Sequence, residues 1–460
     1  MSLIVRMYRL SSLLLVAGSL CWSSPAPGAE KPTNKLSWDT KQNRVAAEVQ
    51  SWSLGVLLEN IASRTGWRVY VEPDTTRHVS ASFTNAPMGE ALKLLLGDLN
   101  YAYIPGANPK LFVFKTAMGN ATKLVSARET PPGKPIPNEL IVKLKPGANI
   151  DELARAVGAK VVGRIPELNA YRLRFEDEAA ADAARAVIAS NPEVAAVDHN
   201  YNLERPPDLH NGQGQLPPPV QLQLNPPPSN GRIIVGLIDT AVQPLGGNLD
   251  SFLLKQLSVA GQSVVDPESP SHGTSMAETM LRSLQAMTKG STSVQILPVD
   301  VYGPNQSTST FSVAAGIVQA INAGARIINL SLGSEGDSPF LHEVIQQVNQ
   351  QNIPVFAAAG NEPTTLPYFP AAYPEVTAVT AMDHGQIAAY ANRGSFVSLG
   401  APGTSVIYFN GVPYYVTGTS SAAAFTSGVA AGYMETTHSS PQATKTFLQN
   451  AFGLNKPAGP

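Results

Sequence analysis

The sequence predicts an α/β protein whose second half is a doubly wound parallel sheet, preceded by two smaller α+β domains. Three observations carry that expectation. Over residues 231–455, apolar β-branched runs at 233–238, 294–301, 326–332, 353–358 and 376–380 alternate with helical stretches at 276–284, 311–323 and 341–350. Continuous apolar strands interleaved with helices describe a parallel sheet covered on both faces. Residues 138–204 follow a different order, β-α-β-β-α-β, in which an apolar run at 139–145, a helix at 150–157, a hairpin at 160–175, a helix at 179–189 and a strand at 194–197 succeed one another. Proline-rich stretches at 130–137 and 205–230 separate the pieces. Proline lacks an N–H and fixes φ, so such runs favour extended spacers over folded core.

The chain has 460 residues and a net charge of −2, from 32 Lys+Arg against 34 Asp+Glu. That balance gives no basic field and argues against a nucleic-acid partner. Residues 1–29 predict an export signal, with Arg6 and Arg9 ahead of an apolar run at 10–22 and small residues at 24–29. The run falls short of the about twenty residues a membrane span needs. No later segment reaches that length either. Cys21 is the single cysteine, and Leu20 before it is not the small residue that lipidation favours. Signal removal then leaves a chain without disulfides, suited to a bacterial periplasm, envelope or extracellular space.

The first domain, residues 36–116, opens with Leu54, Leu57, Leu58 and Ile61 at helical spacing, stopped by Gly66. An alternating strand follows at 67–71, then a helix at 91–99 and a hairpin pairing 101–104 with 111–114. With Asn-Ala-Pro-Met-Gly-Glu-Ala-Leu ahead of the second helix, this pattern resembles the short N-terminal domain of secretins and TonB-dependent receptors. The resemblance implies docking to an envelope partner. The residues themselves describe only an accessory α+β domain.

Chemistry concentrates in the last half. Ile-Asp-Thr (238–240), His-Gly-Thr (272–274) and Gly-Thr-Ser (418–420) set Asp239, His272 and Ser420 among small neighbours, with Ala-Ala-Ala-Gly-Asn ending at Asn361 between them. A serine hydroxyl needs a base to become a nucleophile, an imidazole can serve, and a carboxylate can orient the imidazole. Each residue alone has a plainer explanation, as a turn, a cap or a tight helix start. Together, in the order Asp-His-Ser, they resemble the subtilases, the subtilisin-like serine peptidases.

That resemblance implies several roles. Ser420 would be the nucleophile, His272 the general base, Asp239 its orienting partner and Asn361 an oxyanion donor. Ser331, Leu332 and Gly333, within Asn-Leu-Ser-Leu-Gly (329–333), would hold the backbone of a protein or peptide substrate. Residues 138–204 resemble the subtilase propeptide, with 192–201 leading to a self-cleavage point. No cofactor is implied; calcium is left open, and no carboxylate cluster compels a metal.

Some positions depart from the family pattern. Ala241 stands where glycine is usual, Ala423, Ala424 and Phe425 replace a proline after the nucleophile, and Glu362-Pro363 follows Asn361. These departures keep two alternatives open: a degenerate envelope-binding module, and a peptidase dedicated to one envelope partner.

Overall fold

A computed structural model describes residues 35–454, apart from 41, 74, 107–108, 126–132, 134, 207–221 and 226–232. The expected export signal, Cys21, half of the first proline-rich stretch and most of the second lie outside the described residues.

The first domain contains β1 (Lys35–Asp39), β2 (Arg44–Ser53), α1 (Leu54–Thr65), β3 (Arg68–Val71), β4 (His78–Pro87), α2 (Met88–Leu96), β5 (Asn100–Ile104), β6 (Lys110–Phe114) and β7 (Lys123–Val125). Ser53 caps α1 by accepting from the Val56 N–H, and Gly66 ends it in the left-handed conformation. The strands form two sheets, β1-β2-β4 and β5-β6-β3-β7. Leu57, Leu58, Ile61, Leu92, Leu95 and Leu96 of the helices are fully buried against them. The sequence pattern anticipates both helices and the hairpin. It misses β1, β2, β4 and β7, and α2 starts three residues earlier than expected.

The second domain is β8 (Pro135–Leu144), α3 (Ile150–Ala156), β9 (Lys160–Ile165), β10 (Ala170–Arg174), α4 (Glu178–Ser190) and β11 (Val194–Glu204). Its strands lie in the order β11-β8-β10-β9, all antiparallel, with α3 and α4 covering one face. Strand β11 outruns the expected end at 197 by seven residues. Its last three positions pair with a strand of the following unit.

That unit begins with β12 (Ile234–Asp239), β13 (Leu257–Ser258), α5 (His272–Thr288), β14 (Gln295–Asp300), β15 (Ser307–Ser309), α6 (Thr310–Asn322), β16 (Ala325–Leu330) and α7 (Pro339–Gln350). It ends with β17 (Val355–Ala358), β18 (Thr377–Asp383), β19 (Gln386–Ile387), β20 (Leu399–Pro402), β21 (Thr404–Phe409), β22 (Val412–Thr417), α8 (Thr419–Thr437) and α9 (Pro441–Phe452). The main sheet runs β13-β14-β12-β16-β17-β18, with β20 also on β18, and these pairings are parallel. Helices α5 and α8 pack into one core layer, and α6 and α7 into the other. The chain therefore winds out from β12 in both directions. A crevice opens at the carboxyl end of such a central strand, where open α/β sheets bind ligands.

Candidate active site

Asp239 ends β12 and so sits at that crevice, fully buried. Its Oδ1 accepts from the Thr240 N–H at 2.6 Å and lies 2.7 Å from His272 Nδ1. Its Oδ2 has no hydrogen-bond partner among the described residues. A carboxylate facing Nδ1 fixes the proton there, which leaves Nε2 of a neutral ring as the acceptor.

His272 is the first residue of α5, and Ser271 caps that helix by accepting from the Thr274 N–H. Ser271 Oγ also donates to the Ala241 carbonyl at 2.5 Å. The helix start abuts the loop after β12 so closely that a Cβ on Gly273 would lie 2.2 Å from the Thr240 carbonyl oxygen. Glycine is needed there for approach. Ala241, by contrast, is not among the positive-φ residues, so this loop turns without the conformation that favours glycine.

Ser420 is the second residue of α8. Its Oγ donates to the Ser331 carbonyl at 3.2 Å, and among the described residues it has no hydrogen bond to His272. Ser331 Oγ donates back to the Ser420 carbonyl at 3.1 Å and accepts from Asn329 Nδ2 at 2.9 Å. Asn329 Oδ1 accepts from Ser427 Oγ at 2.9 Å. This buried chain of bonds ties the first turns of α8 to the end of β16. No proline interrupts α8, which runs unbroken through Ala422, Ala423 and Ala424.

Asn361 is exposed, and its Oδ1 accepts from both the backbone N–H (2.9 Å) and Oγ1 (3.0 Å) of Thr419. With its acceptor end held at the start of α8, the amide presents its NH2 end as a donor. Asn392, fully buried, fixes the preceding turn by bonding the Ala359 carbonyl, the Gly360 carbonyl and the Glu362 N–H. Ser331, Leu332 and Gly333 continue past β16 as irregular backbone. The Gly333 carbonyl accepts from Tyr368 Oη at 2.7 Å. Asn329 and Thr419 lie inside motifs legible in the sequence, although their bonds are not. Asn392 and Tyr368 give no signal.

The tail of the second domain reaches the same region. Asn202, Leu203 and Glu204 of β11 pair antiparallel with Ser309, Thr308 and Ser307 of β15. Leu203 is buried beside Tyr302, whose Oη donates to the Glu204 carbonyl at 3.2 Å, and the Arg205 N–H donates to the Gln306 carbonyl at 2.8 Å. Burial, then the nearby Asp239 carboxylate, holds the Tyr302 hydroxyl well above its ordinary pKa, so it stays a donor. Other histidines are engaged elsewhere: His342 stacks on Tyr373 and bonds Glu375, and His384 bonds Asp383. Among the described residues no group of three or more His, Cys, Asp or Glu could hold a metal ion, and no helix is long and apolar enough to cross a membrane.

The chain is similar to several known proteins. Residues 230–458 match the Subtilase family, and residues 121–200 match the Fervidolysin N-terminal prodomain. A thermophilic serine proteinase of Bacillus sp. strain AK1 is 27% identical over 314 residues, covering 65% of this chain and 78% of that protein. Thermitase of Thermoactinomyces vulgaris is 30% identical over 207 residues, covering 43% of this chain and 72% of thermitase. Among solved structures, fervidolysin from Fervidobacterium pennivorans superposes with a TM-score of 0.54 at 20% identity, over 70% of this chain and 58% of that one. This last likeness shows the fold, and the chain spans little more than half of fervidolysin's length. The chain belongs to the subtilase family of serine endopeptidases.

Proposed function

We propose that this chain is the precursor of an exported endopeptidase in which Ser420, His272 and Asp239 act as a triad and Asn361 as an oxyanion donor. The observation that carries the reading is the buried 2.7 Å contact between Asp239 Oδ1 and His272 Nδ1, because it leaves Nε2 as the ring's acceptor. Rotation of the Ser420 side chain away from the Ser331 carbonyl would offer its proton to Nε2, and such bonds commonly tighten only when substrate is present. The Ser420 Oγ–carbon bond forms as that proton moves to His272. The proton then passes to the amine as the carbon–nitrogen bond breaks, and water, deprotonated by the same ring, releases the acyl group. Asn361 Nδ2 and the Ser420 N–H would share the negative oxygen, and Ser331–Gly333 would steady the substrate backbone. None of these steps calls for a cofactor; a calcium ion elsewhere would act structurally.

The β11–β15 pairing supports an inhibitory role for residues 138–204, since the chain between 205 and 230 must be cut before its tail can leave. A fluorophosphonate probe tests the serine directly. The parent protein should be labelled, and Ser420→Ala should neither label nor convert to shorter species in a purified preparation. Normal maturation of Ser420→Ala would end the self-processing reading, and an unlabelled parent would favour a degenerate fold. Asn361→Ala should lower turnover about 10²–10³-fold with little change in KM, the range known for removing one such donor from a subtilisin.

The compact first domain, with a core of its own, motivates a second reading in which the peptidase serves one envelope partner. Deleting residues 36–116 should then spare cleavage of a generic peptide and abolish cleavage of that partner in intact cells.

A further inference from the structure

Three side chains on one sheet of the first domain converge on two carboxylates of the peptidase unit. Arg68 and Lys110 stand directly opposite each other in the β3–β6 register, and Tyr70, two residues on, shares the Arg68 face. Like charges so placed repel unless something lies between them. Here it is Glu362. Lys110 Nζ is 3.0 Å from Glu362 Oε1, Tyr70 Oη donates to Oε2 at 2.6 Å, and the Arg68 guanidinium pairs with Oε2 as well. The other arm of that guanidinium lies 2.7 Å from Glu335 Oε2. Behind them Tyr70 stacks on Phe112, with centroids 5.0 Å apart and planes within 11°.

Those carboxylates are placed where they matter. Glu362 directly follows Asn361, and Glu335 lies two residues past Gly333. The Arg68 fork therefore spans the two loops that flank the proposed site. Burial pushes the Glu362 carboxyl up, but Arg68 and Lys110 outweigh it and hold the group below the usual carboxylate range. Burial and Glu362 both push the Tyr70 hydroxyl well up, so it donates at any ordinary pH. Backbone approaches extend the contact: a Cβ on Gly133 would lie 2.2 Å from Gly336 Cα, and one on Gly119 would lie 3.3 Å from Ala389 Cα.

We propose that Glu335 and Glu362 form an acidic docking edge whose partner is the basic face of the first domain, Arg68, Lys110 and Tyr70. Through this edge the first domain adds to the hold on the amino-terminal half after the 205–230 connector is cut, and that added hold weakens as ionic strength rises. The proposal rests on the precursor reading only for the origin of the cut. Docking itself needs no working serine.

The test therefore uses the full chain carrying Ser420→Ala, with a recognition sequence for an added site-specific protease placed within 207–221. After cutting, the two halves are followed by size-exclusion chromatography and titration at about 0.1 M and about 1 M salt, where the screening length falls from about 10 Å to about 3 Å. They should co-elute at the lower salt and bind with a higher Kd at the higher. Arg68→Met with Lys110→Met should raise Kd at the lower salt about tenfold or more, since half-buried pairs exceed the small worth of exposed ones. Arg68→Lys keeps the charge but loses the fork and should fall between. Glu335→Gln, on the other side of the contact, guards against a misfolded first domain: it should weaken docking, and combining it with Arg68→Met should add little. Halves of the Arg68/Lys110 variant that hold together as tightly as the parent, with the same salt response, would overturn the proposal, as would full additivity of Glu335→Gln and Arg68→Met.

Discussion

The amino-terminal half grips the peptidase unit by two contacts of opposite physical character. The second domain uses mainly backbone and helix caps, with one ion pair, Lys143 to Glu343 of α7. Its β11 adds a strand to β15, and two of its side chains sit at helix starts. Asp198 Oδ2 accepts from Ser338 Oγ at 2.7 Å and the Phe340 N–H at 3.0 Å, at the start of α7. Asn200 Oδ1 accepts from Thr310 Oγ1 and the Phe311 N–H, each at 3.1 Å, at the start of α6. Helix N-termini carry unsatisfied N–H groups, so both caps satisfy donors that would otherwise need water. The first domain uses charge: two cations against two carboxylates, each about one-fifth to one-third exposed. Backbone bonding resists salt. Half-buried ion pairs resist it less. The difference would leave a chain cut in its connector with one grip that persists and one that conditions can loosen.

The largest expected effect comes from breaking the backbone contact at its most buried point. Asn200 is fully buried, and its Nδ2 also donates to Glu139 Oε2 at 2.7 Å, while Glu139 Oε1 is bonded by Arg174. Asn200→Ala leaves a helix-start N–H and a buried carboxylate oxygen without partners. Each such group costs about 1–3 kcal/mol, so docking of the cut halves should weaken by about 3 kcal/mol, roughly 10²-fold in Kd. Isothermal titration of the halves checks this. A loss no larger than that of the Arg68/Lys110 variant would remove the distinction between the two grips.

How much of this is legible in the sequence follows the same divide. Asp239, His272 and Ser420 are legible because each sits in a short motif at the end of an apolar strand or the start of a helix, and local pattern decides both. Gly273 is legible as part of His-Gly-Thr, but its reason, the Thr240 carbonyl, belongs to another segment. Strands β2 and β4 escape notice because only alternate residues such as Val45, Ala47 and Val49 are buried and polar or small residues fill the rest. The end of β11 has little apolar character, and β15 supplies its pairing from about a hundred residues away. Arg68 and Tyr70 lie in a recognised strand, yet nothing local points to Glu362. Ala241 departs from the family pattern without backbone strain, because the chain there does not turn through positive φ.

A middle-sized effect separates the grips by salt. Raising ionic strength from about 0.1 M to about 1 M should weaken the parent complex of cut halves, but should change less in the Arg68/Lys110 variant, whose remaining contact is the capped and strand-paired one with the single Lys143–Glu343 pair. Measuring Kd at several salt concentrations gives two slopes. Parallel slopes would mean that the second domain depends on screened charge as strongly as the first, and the contrast would then be wrong.

The smallest effect, and the sharpest, is in pH. Burial pushes the Asp198 carboxyl above its ordinary value, against the bonds from Phe340, Ser338 and His199 that pull it down. A group whose pKa is raised on docking takes up a proton as the halves join. Its contribution is full below the free carboxylate value and is lost as pH rises through the docked one. Glu362 behaves in the opposite sense. Its docked pKa is depressed, so its contribution is present above the free value and is lost as pH falls through the docked one. Acidification through the carboxylate range should therefore tighten one grip while it loosens the other, each by about tenfold in Kd for every pH unit that separates the free and docked values. Asp198→Asn keeps an acceptor for Ser338 and Phe340 but cannot titrate, so its Kd should only worsen as pH falls. Glu362→Gln should show the reverse, improving toward low pH. Curves of Kd against pH for the two variants that cannot be told apart would show that the carboxylates answer to one shared environment, and the two contacts would have to be described as a single one.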